Sequence, residues 1–423
     1  MPASEILEST EIVAEIGPLV PKPSQEKKLV EVAGIPAAVW LLAVGHGLVD
    51  CHCTFVQPLW PSLAQLMKVD DGQMQWTYIA WSLSGSITQF GFAYLADAGY
   101  GRRLLWIGPV VGIILMGLLG QSTGLAMLTL LLMTANLGFA AFHPEAATLA
   151  GAAAPHNRSR AMSIFAVGGY LGQAIGPSLS GGLVSHGSVF ALSQTIAPGL
   201  LICLLLILGL RLSGSITVPY MSTGSRQKSP GLREVLKGRE WRVAHLVIMS
   251  VLRVSPAMGV PLALAYGLHD MGITAEVIGE TQSFFLIGMG LGTFACALLV
   301  KQKFEDAVMW LAPSCVAIIL PMAPQIAHKH LWIIMLLSGP MLGLSLPILT
   351  SRGQELLPEA PRIGSSLTMG VTWGLGGILV ATLMAAVNYL GNHFIAFYVL
   401  SIWAAMSAVM CWPGWELRRR VQS

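Results

Sequence analysis

Charge is scarce in this chain. Of 423 residues only 24 are Lys or Arg and 21 Asp or Glu, 11% in all, where a water-soluble domain carries about 25%. That scarcity excludes an ordinary soluble enzyme or binding module. Cysteine is sparse too: Cys51, Cys53, Cys203, Cys296, Cys315 and Cys411 all fall inside apolar stretches, where thiols act as small buried hydrophobes and suggest no disulfide framework. Residues 1–30 carry neither a basic leader nor a short apolar core with a cleavage site, so no signal peptide is read there and a cytoplasmic tail is expected. A nucleophile elbow, phosphate-binding loop, zincin motif and dinucleotide fingerprint are also missing from the contexts their chemistry requires. The expectation is a protein that is not an enzyme and uses no cofactor.

What the chain does have is apolar runs. A hydrocarbon core of about 30 Å needs roughly 20 apolar residues per helix. Runs of that kind lie near 35–59, 75–96, 104–122, 125–150, 161–184, 189–211, 242–267, 277–300, 307–326, 331–356, 364–390 and 393–412. The expected fold is an all-α membrane protein with twelve transmembrane helices. With the N-terminus placed in the cytoplasm, 21 Lys or Arg fall on that side, Lys68 and Lys329 fall on the other, and Arg253 falls within a helix. The positive-inside rule then puts both termini in the cytoplasm. The same rule accounts for the basic residues between the sixth and seventh runs, where no aromatic residues interleave as a nucleic-acid footprint would require.

That loop, "SGSITVPYMSTGSRQKSPGLREVLKGREW", reads as a linker between two six-helix bundles. The expected division is a tail at 1–33, a bundle at 34–212, a linker at 213–240, a bundle at 241–413 and a tail at 414–423. "APHNRSRAMSIFAVGGYLG" and "LPEAPRIGSSLTMGVTWGLG" each pass from Pro through Arg into a glycine-rich helix, a faint repeat between the halves.

Six plus six helices with a basic central loop resembles the major facilitator superfamily, whose two halves rock about a midplane site. Asp97, Arg102 and Arg103 in "GFAYLADAGYGRRLL" sit where that superfamily carries an Asp, Gly, Arg, Arg signature, with one residue more between Asp97 and Gly101. "GGYLGQAIGPSLSGG" is similar to the glycine-proline signature of its proton-coupled exporters. Within the superfamily, "GHGLVDCHCTFVQPLWPSL", "AAFHPEAATLA" and "SRAMSIFAVGGYLGQAIGP" resemble the fosmidomycin resistance protein family, a bacterial branch. The resemblance implies a proton-coupled antiporter of a bacterial inner membrane, exporting a small organic compound or drug as a monomer. Its partners would be the substrate, protons and the lipid bilayer, with no nucleic acid. A proton-coupled importer of an organic acid, or a non-transporting sensor on the same fold, are the alternatives.

The ionisable residues inside the membrane carry the functional reading, because a central charge costs about 2.5 to 3.5 kcal/mol on insertion scales. His46, Asp50, Cys53 and Gln57 are spaced 4, 3 and 4 along helix 1, so one face of it is polar. His143 and Glu145 flank Pro144 in helix 4 and point to opposite sides of an ideal helix. Asn136 shares the face of His143, which favours His143 as the member turned to the cavity. His46, Asp50, His143 and Glu145 are the expected proton-coupling groups, against a static reading in which they only fix packing. Arg253 is expected to hold an anionic group of the substrate or to serve as a counter-ion. Gln57, Gln89, Asn136, Thr372 and Trp373 are expected to line the substrate site, or else simply to pack. Asp97, Arg102, Arg103, Gly172, Gly176 and Pro177 are expected to gate it or to form a seam between the halves. No metal site is expected: Cys51, His52 and Cys53 are consecutive, lie 100° apart on a helix and cannot converge on one tetrahedral ion.

Overall fold

The computed structural model describes residues 30–213 and 235–411. Both tails and most of the expected linker lie outside the described residues. So do the side chains of Asp97 and Arg362.

Among the described residues, twelve helical segments cross between two ends of the molecule. They are α1 (Ala37–Met67), α2 (Asp71–Leu95), α3 (Gly101–Gly117), α4 (Leu125–Ala153), α5 (Arg158–His186), α6 (Val189–Leu212), α7 (Glu240–Asp270), α8 (Ala275–Leu299), α9 (Gln302–Gln325), α10 (His328–Leu356), α11 (Ile363–Tyr389) and α12 (Ile395–Met410). The apolar runs of the sequence thus become the helices they predict. Eight of these segments are long and apolar enough to span a bilayer by themselves. Of the other four, α3 and α12 are short, whereas α2 and α5 carry the polar and glycine-rich faces that meet the rest of the protein. A two-residue hairpin, Glu31–Val32 with Ile35–Pro36, precedes α1.

Many of these helices contain proline, which removes a backbone donor and crowds the preceding turn. In α1 the chain passes through a 3₁₀ turn at Gln57–Leu59 before continuing as Trp60–Met67. In α4 the helix continues through Pro144 without interruption. In α11 a π turn occupies Leu367–Val371, a distortion that often marks a functional position.

Helix contacts repeat with a shift of six. In the first half α1 packs on α5, α2 on α4, and α3 on α4; in the second α7 packs on α11, α8 on α10, and α9 on α10. Between the halves α5 packs on α8, and its counterpart pair α11 with α2 does the same. The result is two bundles related by a pseudo-twofold axis. The α1–α5 contact shows how closely backbones approach: a methyl group at Gly168 would overlap the Ala43 carbonyl, one at Gly172 that of Gly47, and one at Gly176 that of Cys51. Small residues spaced by four on both helices allow this, and such packing is what holds helices together where lipid removes the hydrophobic drive.

The halves meet at the end distal to the start of α1 and the end of α12. There the Gln65 amide lies 2.8 Å from His269 Nε2, the Glu276 N–H donates to Ser185 Oγ at 3.0 Å, and Ser178 and Ser283 share a hydroxyl bond of 2.7 Å. A methyl at Gly279 would overlap the Pro177 carbonyl. This is a conformation closed on the distal side.

Candidate functional site

Asp50 lies in the last full turn of the first part of α1, buried to 4% exposure. Three helices supply its partners. From α4, His143 Nε2 stands 3.0 Å from Asp50 Oδ1. From α5, the Gln173 amide donates to Oδ2 at 2.8 Å. One turn back on α1, His46 Nε2 is 3.4 Å from Oδ2. The sequence places His46 and Asp50 on one face by their spacing of four, and His143, not Glu145, meets that face. His143 was expected to turn to the cavity, but it, His46 and Asp50 are not among the residues lining the central cavity, since the His143 ring is drawn to Asp50 on α1 instead.

Both imidazoles are fixed from behind. His46 Nδ1 is 2.8 Å from the Phe165 carbonyl, with its ring stacked 4.2 Å from that of Phe165, and His143 Nδ1 is 2.7 Å from the Phe139 carbonyl. A carbonyl oxygen only accepts, so each Nδ1 carries hydrogen and each Nε2 faces the carboxylate. A neutral imidazole in that tautomer would oppose its Nε2 lone pair to a carboxylate oxygen. The 3.0 Å contact between His143 and Asp50 therefore requires a proton, held by the imidazole or by the acid. Removing that proton turns a bond joining α1 to α4 into a repulsion.

Gln173 connects this cluster to a central cavity of about 240 Å³ between the halves. From the first half come Cys53, Thr54, Gln57 and Trp60 on α1, Tyr78, Trp81, Ser82, Ser86 and Gln89 on α2, Asn136 on α4 and Gln173 on α5. From the second come Met258 and Pro261 on α7, Met289 on α8, and Met369 and Trp373 on α11. Among the described residues, none of its lining side chains is charged. Asn136 is held by donating to the Trp81 carbonyl at 2.7 Å, whereas the side-chain oxygen of Gln57 has no hydrogen-bond partner among the described residues.

Of the expected substrate residues, Gln57, Gln89, Asn136 and Trp373 border this cavity. Thr372 does not: it is fully buried and donates to the Thr368 carbonyl within α11. Arg253 does not either. It is 1% exposed between α7, α9 and α12, where Nε donates to Ser407 Oγ at 3.0 Å and Nη2 to the Met309 carbonyl at 2.6 Å, with Cys411 Sγ 3.4 Å away. Those neighbours take up its donors, so it is neither a cavity anchor nor a counter-ion to Asp50. Glu145 also stands apart, buried against the first turn of α3, where a methyl on Gly101 would overlap its carboxylate. The two-residue step from His143 sends it there.

The expected gating residues separate likewise. Arg102 and Arg103 are exposed at the start of α3, Arg103 over the ring of Tyr100 at 5.6 Å, and the side chain of Asp97 lies outside those described. Gly172 and Gly176 face α1, while Pro177 faces α8 and so touches the other half. Near the end of α10 Arg352 pairs with Asp306 at the start of α9.

Sequence reasoning missed Gln173, although its signal was present: it is the single amide in the glycine-rich stretch of α5. The polar lining of α2 was legible too, since Ser82, Ser86 and Gln89 follow helical spacing along one face.

Comparison with known proteins agrees with this architecture. Residues 42–381 match the Major Facilitator Superfamily. The chain is 25% identical over 380 residues to an uncharacterized MFS-type transporter, YfnC of Bacillus subtilis, covering 86% of this chain and 90% of that protein. It is 22% identical over 352 residues to the fosmidomycin resistance protein of Escherichia coli, covering 81% and 84%. A crystal structure of a variant of the nucleoside transporter NupG superposes with a TM-score of 0.67 at 13% identity, over 88% of this chain and 98% of that one, a likeness of fold.

Proposed function

The chain belongs to the Major Facilitator Superfamily, and from that premise we propose that it is a proton-coupled antiporter exporting a small organic compound across a bacterial inner membrane. In this reading the protein works as a monomer with both termini cytoplasmic. The bundles at 34–212 and 241–413 rock about the central cavity, joined by the linker at 213–240. One observation carries the proton reading: Asp50 and His143 approach to 3.0 Å through atoms that need a shared proton, while His143 Nδ1 is already committed to a carbonyl. Losing the proton would loosen α4 from α1, and Gln173 would transmit the change to the cavity wall. Protonation and substrate would then favour different arrangements of the halves, as exchange requires.

The cavity lining supports a neutral, aromatic-bearing substrate over the anion that Arg253 led one to expect. Trp60, Trp81, Trp373 and three methionines offer apolar and polarisable contacts, and among the described residues no cation lines the cavity to neutralise a phosphonate. The Gln57 oxygen is buried and has no partner among the described residues; leaving it unpaired costs about 1 to 3 kcal/mol, so a rearrangement of the lining that brings it to a substrate hydroxyl or N–H would be favourable.

The test is the purified protein in liposomes loaded with a pH-sensitive dye, under an imposed pH gradient, challenged in turn with neutral aromatic compounds, phosphonates and carboxylates. Proton movement elicited by the neutral aromatic class is expected, and the gradient direction that drives accumulation gives the direction of transport. Proton movement with none of the classes, or with anions alone, would overturn the proposal.

A further inference from the structure

His46, Asp50 and His143 offer one ligand atom each, and those atoms lie within 4.8 Å of one another. Two imidazole nitrogens and a carboxylate oxygen form the donor set of a zinc-type transition-metal site. The three residues also meet the further requirements of such a site. The ligating nitrogens are defined, because both Nδ1 atoms are held by carbonyls, at 2.8 Å from Phe165 and 2.7 Å from Phe139, and both Nε2 atoms turn inward. The carboxylate is oriented from outside the set by the Gln173 amide at 2.8 Å. The set is not sealed, since the His143 side chain is 31% exposed while those of His46 and Asp50 are 13% and 6%. With the Nε2 atoms 3.4 and 3.0 Å from the carboxylate oxygens and all three donors within 4.8 Å of one another, the side chains must draw inward for each donor to reach the distance of about 2.0 to 2.1 Å that zinc takes.

We propose that His46, Asp50 and His143 bind one divalent zinc-type ion, which takes the place of the proton in the Asp50–His143 contact and ties α1 to α4. On binding, each Nε2 lone pair and one carboxylate oxygen coordinate the ion, water fills the remaining positions, and the displaced proton passes to solvent. This site differs from the Cys51, His52 and Cys53 run, which the sequence rules out. In the fold His52 points to α6, its Nδ1 bonded to the Leu48 carbonyl at 2.9 Å. The inference does not depend on proton-driven transport, only on the arrangement of the three side chains.

Equilibrium dialysis of the full-length detergent-purified chain against Zn2+, with Co2+ absorption as a second readout, tests it. One saturable equivalent per chain is expected, with Co2+ giving the visible bands of a low-coordinate site. His46→Ala, His143→Ala and Asp50→Asn should each weaken binding by at least about tenfold, and Gln173→Ala, which removes only the orienting bond, by about tenfold. His328→Ala with His330→Ala, two exposed histidines at the start of α10, should leave it unchanged. Size-exclusion chromatography of each variant separates loss of the site from loss of the fold, and Gln173→Ala leaves all three ligands in place. Absence of a saturable equivalent in the wild type, or binding that survives unchanged in the His46 and His143 variants, would overturn the inference. A chain that binds Zn2+ but shows no gradient-driven flux would keep this site and remove the antiport reading; the reverse result would do the opposite.

Discussion

Replacing Asp50 by Asn tests the proton reading most directly. The carboxylate accepts from Gln173 at 2.8 Å and meets His143 at 3.0 Å. An amide is nearly the same shape. Its oxygen can still accept from Gln173 and its NH2 can donate to Nε2 of a neutral His143, so the variant imitates the protonated acid. Exchanging two charge-assisted bonds for neutral ones costs about 1 kcal/mol each. Burying an amide in place of an ion recovers several kcal/mol of desolvation, so the fold is expected to survive. Transport should separate into two parts. One pH unit is worth about 1.4 kcal/mol per proton, so at one proton per substrate the wild type should build a substrate ratio of about tenfold across proteoliposomes under that gradient. Asp50→Asn should build none, with a ratio of about one. Substrate exchange at equal pH on the two sides, which needs no net proton, should persist. The assay is labelled-substrate uptake with and without the gradient, alongside counterflow. If Asp50→Asn accumulates substrate as the wild type does, the shared-proton argument fails, whatever the packing of the three residues.

Three further perturbations follow from particular contacts. Gly172→Val drives methyl groups into the backbone of Gly47 and should cost about 3 kcal/mol or more, whereas Gly182→Ala, with nothing within 4 Å of the new methyl, should hold or raise stability by up to about 1 kcal/mol; thermal unfolding in detergent compares them, and equal effects would refute the close α1–α5 contact. Arg253→Met removes a buried cation remote from the cavity and should leave KM and proton coupling at wild-type values, while Trp373→Ala, which strips an aromatic face from the lining, should raise KM by about 2- to 10-fold; initial-rate uptake distinguishes the two. At the surface, the Arg239 guanidinium grips both oxygens of Glu359 at 2.7 Å and pulls that carboxyl from its ordinary 4.5 down to about 2. A depressed acid stabilises above its unfolded value, so this small, solvent-screened contribution should be complete above pH 4.5 and fade as pH falls toward 2. Thermal midpoints of Glu359→Gln measured across that range should lose the corresponding slope.

Reading the sequence was enough to place twelve helices, because bilayer thickness fixes how long an apolar run must be and few charges interrupt the runs. It was enough, too, to put His46 and Asp50 on one face, because helical spacing is a local property. Periodicity could not choose between His143 and Glu145, which are two residues apart on one helix. The choice was made by which neighbour each side chain meets: α1 with Asp50 for one, the start of α3 for the other. Arg253 went astray for the same reason. A lone cation at mid-helix looks like a substrate anchor until α9 and α12 are seen closing over it with Ser407 and the Met309 carbonyl. Gln173 shows the converse, an ordinary amide in sequence that becomes the link between the buried acid and the cavity once α5 lies against α1 through its glycines. Local chemistry follows from the order of residues along a helix. Which helices touch, and therefore which polar groups share a proton or a substrate, depends on side-chain volume and glycine spacing in packed pairs far apart in the chain, and that is settled only when the bundles assemble.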